Sequence, residues 1–304
     1  MSPDDFVLAL RALDAPVFLD DRGTATPLGT EFTATTSDGK SVLVTQLSPA
    51  LNGRVAKPDA FVRAIEQAGY EGAGVTESGQ LYFLELPPRG VSLATRLTAT
   101  GPVPATEVIP IARAATDLLA RGTVHGLITP STIHVAPDGG VSLRWVGLAP
   151  ALYAAGADAA AIAEELDAAV YFAPELSRGA PFDVRTDIFA LGATLYAALT
   201  GRPPFGGRTT ATVMAVVLAD DGAPATTASG TLTAALVRAI EQDPADRWHD
   251  MGQFRDALGK SDRDDTSRRD TPAARAAASR GCAPAVLIAA AAGLLTWMAM
   301  RYIS

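Results

Sequence analysis

The chain has 304 residues, 48% of them hydrophobic, and a formal net charge of −8. That length admits one large domain with an appendage, and the acidic balance excludes a general nucleic-acid binder, which would carry a basic footprint. With 1 cysteine and 3 scattered histidines (125, 134 and 249), neither an internal disulfide nor a Cys/His zinc cluster can form.

The opening residues, MSPDDFVLAL, lack the basic start and apolar core of a secretory signal, so the bulk of the protein is expected in the cytoplasm. The first third reads as short strands plus one helix. Residues 31–36 and 41–47 alternate as strands around Ser37-Asp38-Gly39-Lys40, a hairpin turn signal. Residues 58–68 read as a helix with Phe61, Val62 and Ile65 on one face, stopped by Gly69. Residues 81–86 read as a strand, and Pro87-Pro88 after it as a hinge. From Thr106 helical patterns dominate, at 106–121, 185–200, 209–219 and 231–241, and residues 248–258 close the domain.

Beyond Gly259 the composition changes. Residues 260–281 are rich in Asp, Arg, Ser and Ala with almost no large apolar side chain, the signature of a disordered linker; Thr266, Ser267 and Thr271 are its candidate phosphorylation sites. Residues 282–300 carry no charge. A helix of about 19 residues spans roughly 30 Å, the thickness of a bilayer's hydrocarbon core, so 282–301 is predicted to be a transmembrane helix with 302–304 emerging beyond it. Arg263, Arg268, Arg269, Arg275 and Arg280 precede the span and Arg301 follows it, which orients the N-terminal domain to the cytoplasm as a single-pass cell-membrane protein. Ala285, Ala289 and Gly293 fall four apart on one face, a spacing that permits a homodimer through close helix pairing. Cys282 at the membrane edge reads as an inert thiol rather than a lipidation site.

Between these landmarks runs His125-Gly126-Leu127-Ile128-Thr129-Pro130-Ser131-Thr132-Ile133, followed by Trp145-Val146-Gly147, Ala173-Pro174-Glu175, Asp183 to Gly192, Gly201-Arg202-Pro203-Pro204-Phe205 and Asp243-Pro244-Ala245-Asp246-Arg247. In order and spacing these segments resemble the catalytic loop, D-F-G, A-P-E and C-lobe motifs of bacterial eukaryotic-like Ser/Thr protein kinases, over roughly residues 25–258. The resemblance implies an α+β, two-lobed protein-kinase-like fold: a small β-rich N-lobe (1–87) and a larger α-helical C-lobe (88–259), with the linker and transmembrane helix appended.

It also implies which chemistry is missing. Phosphoryl transfer asks a protein for positioning and charge neutralisation. The phosphate-covering G-x-G-x-x-G is absent, since only Gly23 and Gly29 lie between 20 and 36. Thr45 stands where the strand lysine belongs, and the helix glutamate is expected near Ala64, with Glu66 the nearest acid. Leu127 replaces the catalytic base, Thr129 the loop lysine, Thr132 the metal-binding asparagine, Trp145 the metal-binding aspartate and Gly126 the arginine that receives an activation-loop phosphate. Residues 148–172, the activation segment, contain no Ser or Thr, and Ala168 sits where a threonine is usual. The residues that the resemblance assigns to holding the C-lobe are kept: Glu175 with Arg247 as a buried ion pair, Asp187 capping the catalytic loop, and His125 supporting it.

These losses predict no cofactor, with no magnesium and weak or no ATP binding. The expected function is a membrane-anchored pseudokinase, a protein-binding, scaffold or regulatory module in Ser/Thr kinase signalling, whose partner at the cytoplasmic membrane face could be an active kinase. The alternatives are an atypical active kinase or nucleotide transferase recruiting Glu85, Asp138, Glu164 or Glu165, and a metal-independent ATP-binding switch.

Overall fold

The computed structural model describes residues 10, 17–20, 22–206 and 230–269. The chain divides into two units, 1–261 and 262–304. The helix expected at 209–219 and the membrane span with its paired face (Ala285, Ala289, Gly293) lie outside the described residues, among which no helix is long and apolar enough to cross a membrane.

The N-terminal lobe is an antiparallel sheet of β1 (Val17–Leu19), β2 (Thr24–Thr26), β3 (Gly29–Thr36), β4 (Ser41–Leu47), β5 (Gly72–Val75) and β6 (Leu81–Glu85), in the order β1-β3-β4-β6-β5, with β2 also on β3. The register follows the hairpin turn: Thr35 faces Ser41 and Phe32 faces Val44. Alternation then sorts the side chains. Val17, Ala34, Val42, Val44, Tyr82 and Leu84 pack on the outer face, and the opposite face carries Glu31, Thr45 and Phe83 in cross-strand register. Two helices cover that second face: α1 (Pro49–Arg54), capped by the Ser48 hydroxyl, and α2 (Pro58–Gln67), which buries Phe61 and Ile65.

Past Pro87-Pro88 come β7 (Val91–Ser92), α3 (Leu93–Thr100) and α4 (Ala105–Leu119), then β8 (Ile133–Val135) and β9 (Val141–Leu143), which with β7 form a small sheet. Helices α5 (Leu148–Ala154) and α6 (Ala159–Glu165) follow, then two short 3-10 turns and α7 (Val184–Thr200). Helix α7 starts on a capping box: the Asp183 carboxylate accepts from the Arg185 and Thr186 N–H groups, and the Thr186 hydroxyl accepts from the Asp183 N–H. It is buried on nearly every side, so from Ile188 to Leu199 its sequence is almost wholly apolar. Helices α8 (Gly230–Ala239) and α9 (Met251–Arg269) complete the described fold.

Helix α9 continues to Arg269, into the stretch read as a linker from 260. The sequence supplies the reason: after Gly259 no Gly or Pro interrupts the chain until Pro272, so composition alone does not stop a helix already begun.

One apolar cluster joins the lobes. Leu28, Leu47, Phe61, Ile65 and Phe83 from the N-terminal lobe share it with Leu127, Leu148, Leu152, Ile162 and Phe189 from the C-terminal lobe. The segment 148–166 contributes through α5 and α6, whose alanines and leucines are largely buried. It is therefore folded into the core as helix, tied by Ala56 and Lys57 N–H bonds to the Ala155 carbonyl.

Candidate functional site

The site is the cleft between the lobes. At its upper edge, β2 passes into β3 through Thr26-Pro27-Leu28-Gly29. The Gly29 N–H donates to the Thr26 hydroxyl (3.3 Å), the Thr26 hydroxyl donates to the Gly29 carbonyl (3.0 Å), and the Ser48 N–H donates to the Leu28 carbonyl (2.8 Å). Gly29 has φ 149°, and a Cβ there would lie 2.0 Å from the Gln46 carbonyl oxygen, so the turn is pressed onto the end of β4. Leu28 points into the shared core, fully buried. A phosphate-cradling loop needs free backbone N–H groups over open space; this turn is short, pinned and plugged by a leucine.

The five positions singled out in the sequence fall in and around this cleft. Thr45, on β4, is fully buried and its hydroxyl has no hydrogen-bond partner. Leu127 is buried against the shared core and lines a cavity with its apolar side chain where a base would stand. Thr132 is spent on its own loop: its hydroxyl accepts from the Thr129 N–H and donates to the Thr129 carbonyl, both at 3.0 Å. Thr129 accepts in turn from the Ser131 N–H (3.3 Å). Trp145 sits two residues past β9 with φ 63°, a left-handed conformation that is a genuine outlier for a bulky side chain.

The residue that organises the cleft is Arg144, which no kinase motif singles out. Its guanidinium donates to Glu85 through Nε (3.0 Å) and through an Nη, and the same Nη also contacts Glu31. The Trp145 indole N–H donates to Glu85 at 3.1 Å, and the guanidinium lies over the indole at 5.0 Å. Glu31 is on β3 and Glu85 ends β6, whereas Arg144 and Trp145 belong to the C-terminal lobe, so this network ties the lobes across the cleft. Burial pushes the Glu85 carboxyl up, against the pull of Arg144 and the indole N–H. Arg144 is also desolvated, but its two carboxylates hold its pKa above the ordinary arginine value. Two carboxylates about one guanidinium leave an excess of negative charge where a triphosphate would need positive charge.

The three charged side chains of this network are 10–19% exposed, so its removal is discounted from the cost of a fully buried pair. Arg144→Met is expected to lower stability by about 2 kcal/mol, read from denaturant midpoints. Arg144→Met/Glu85→Leu is expected to regain part of that loss, because the stranded carboxylate goes with it.

The other acids considered as recruits are elsewhere. Asp138 pairs with Arg89 on the surface, Glu165 with Arg54 at 3.6 Å, and Glu164 and Glu66 are exposed. Ala64 packs against the shared core. Among the described residues no group of three or more His, Cys, Asp or Glu side chains is placed to hold a metal.

Beneath the cleft the catalytic-loop backbone is held from α7. Asp187 accepts the His125 N–H (2.7 Å) and the Gly126 N–H (2.8 Å) on separate oxygens. His125 Nδ1 accepts the Leu127 N–H at 3.2 Å, which places the ring proton on Nε2. Gly126 has φ 73°, and a Cβ there would lie 2.3 Å from Pro150 Cδ; the position of the phosphate-receiving arginine is thus closed to any side chain. Arg247 and Glu175 form a two-bond pair at 2.6 and 2.7 Å.

The lobes, the cleft between β4, β6 and β9, and the buried α7 define a protein-kinase fold. The kinase domain of Mycobacterium tuberculosis PknI superposes with a TM-score of 0.59 at 21% identity, over 81% of this chain and 95% of that one. The homologues of this chain are bacterial Ser/Thr protein kinases. A probable serine/threonine-protein kinase of Corynebacterium efficiens is 30% identical over 184 residues, 55% of this chain and 28% of that protein. Serine/threonine-protein kinase PknB of Mycolicibacterium smegmatis is 28% identical over 193 residues, 60% of this chain and 31% of that protein. The matched region thus spans under a third of these curated relatives. No family model matches the chain.

Proposed function

We propose that this chain is a non-catalytic member of the kinase fold, a pseudokinase that serves as a protein-binding, scaffold or regulatory module in Ser/Thr kinase signalling. The observation that carries this reading is the Arg144–Glu31–Glu85–Trp145 network. It crosses the nucleotide end of the cleft and commits its one cation, Arg144, to two carboxylates, while Leu127 offers no proton acceptor. Loss of a general base alone costs about 10²–10⁴ in rate, and positioning of the charged phosphoryl group, which carries most of kinase catalysis, has lost its lysine and both metal ligands. The helical, Ser/Thr-free segment 148–166 supports a fixed surface rather than one ordered by phosphorylation.

The uncharged stretch 282–300 and the arginines before it support an anchor in the cell membrane, with the kinase-like part on the cytoplasmic side and a partner, such as an active kinase, at that face. Pairing through Ala285, Ala289 and Gly293 is part of the same proposal.

The test is direct. The purified chain is expected to transfer no labelled phosphate from ATP to itself or to a generic protein substrate. ATP at millimolar concentration, with magnesium or with a chelator, is expected to leave its melting temperature unchanged. A ligand at 100 times its Kd stabilises by about 2.7 kcal/mol, so binding would be visible. Transfer abolished by Glu85→Gln would establish an atypical kinase, and a shift that survives the chelator would establish a metal-independent nucleotide switch.

A further inference from the structure

Beside the Arg144 network, the cleft keeps a partly open cavity of about 250 Å³. Pro27 of the β2–β3 turn and the loop Thr129–Ser131 line it from opposite lobes, and Leu127, Trp145, Asp167 and Tyr171 complete the wall.

Three observations meet there. Among the described residues, Trp145 (φ 63°) and Asp167 (φ 50°) are the non-glycine residues with left-handed backbone, and both line this one cavity. Strain of this kind persists where the surroundings impose it, and it clusters at ligand sites. Next, the half-buried Tyr171 phenol and the exposed Asp167 carboxylate and Ser131 hydroxyl make no side-chain hydrogen bond to any described residue, which leaves all three open to a ligand entering from solvent. Burial, with the Asp167 charge nearby, pushes the Tyr171 phenol up to about 12, so it stays neutral and hydrogen-bonding at physiological pH. Finally, among the described residues Asp167 is the only formal charge in the lining, which holds no Lys, Arg or His. Arg144 is not part of the wall, and its charge is already met by two carboxylates.

That chemistry selects the ligand. A phosphate or carboxylate would meet like charge and no cation. An ammonium brings three donors, which match one carboxylate and the hydroxyl oxygens beside it. Aromatic rings attract such a cation, and Trp145 and Tyr171 are in the lining; a short alkyl stem fits the apolar wall of Pro27, Leu127 and Leu166. We propose that this cavity is a receptor for an alkylammonium group of the kind a lysine side chain carries. The proposal rests on the non-catalytic reading in one respect: Leu127 acts as wall rather than as a vacant base.

The experiment titrates the full-length chain, isotopically labelled and detergent-solubilised, with four probes: N-acetyl-lysine methylamide, its uncharged isostere N-acetyl-norleucine methylamide, a lysine-containing pentapeptide, and butylamine. The amide resonances of Leu127, Ser131 and Asp167 are expected to move saturably with the lysine compounds, and the norleucine compound is expected to bind at least tenfold more weakly. Asp167→Asn is expected to weaken the lysine compounds at least tenfold with an unchanged melting temperature, because asparagine tolerates the left-handed backbone. A pentapeptide that outcompetes butylamine identifies a partner's lysine as the source, and equal binding identifies a free amine; both support the site. Equal binding of the norleucine compound, no movement up to 50-fold excess at millimolar amine, or unchanged affinity in Asp167→Asn each overturns it. A failed titration leaves the absence of phosphoryl transfer standing, whereas observed transfer would overturn the non-catalytic reading and leave the titration result intact.

Discussion

Replacing Arg247 with methionine is expected to destabilise the protein by about 3–5 kcal/mol, the cost of leaving one member of a buried ion pair without its partner. Arg247 is fully buried and its guanidinium is spent completely: two bonds go to Glu175, and others to the carbonyls of Glu241, Arg185 and Gln242. Its guanidinium also lies over the Phe189 ring at 4.8 Å. One side chain thus fastens the A-P-E turn, the start of α7 and the loop after α8. Methionine keeps most of the stem's packing and removes every donor, leaving the Glu175 carboxylate and three carbonyls unmet. For a protein of this size the loss corresponds to roughly 6–20 °C in melting temperature. Arg247→Met/Glu175→Leu is expected to recover part of it, since removing both partners is far less costly than removing one. A melting temperature within 2 °C of the parent for the single variant would show that the pair does not hold this corner of the fold.

The Glu175–Arg247 contact could be read from sequence because it belongs to two motifs at a familiar spacing. Arg144 could not, because no motif asks for it. Its partners lie 59 and 113 residues away, on strands whose inward and outward faces are fixed only once β3, β4 and β6 are in register. One signal was present. Leu81-Tyr82-Phe83-Leu84-Glu85 is a wholly buried strand ending in an acid, and a buried acid requires a counter-charge. The long helices and the β3–β4 hairpin were legible from period and turn chemistry. Helices α5 and α6 were not, since seven-residue, alanine-dominated segments buried on most sides show no amphipathic pattern. Strand β5, Gly72-Ala73-Gly74-Val75, escaped for a related reason: its two glycines give no strand propensity, and its place is set by β6 beside it. The left-handed backbone at Trp145 and Asp167 has no sequence signature, because glycine is the residue that advertises it.

The catalytic-loop cap makes a prediction of comparable size that depends on pH. Burial pushes Asp187 from 3.8 up to about 7, although two N–H bonds pull the other way. Burial pushes His125 from 6.5 down to about 4. Between about pH 4 and 7 the folded state therefore binds a proton at Asp187 that the unfolded state has lost, and stability falls as pH rises through that window. Between about pH 4 and 6.5 the unfolded state binds a proton at His125 that the folded state lacks, and stability rises with pH. Each effect has a limiting slope of about 1.4 kcal/mol per pH unit, so from pH 4 to 6.5 they nearly cancel. Separate removal should expose them. Asp187→Asn loses an acceptor for one of two buried N–H groups, about 1–3 kcal/mol, and beyond that is expected to lose about 3 kcal/mol more, relative to the parent, on acidification from pH 6.5 to 4. His125→Asn is expected to show the opposite sign, with stability relative to the parent declining by about 3 kcal/mol from pH 4 to 6.5. Urea midpoints of the three proteins across this range provide the measurement, and taking differences cancels the remaining carboxylates. If both difference profiles are flat, the two groups titrate alike in folded and unfolded chains, and the cap is not held by a buried acid and a buried neutral imidazole acting against each other.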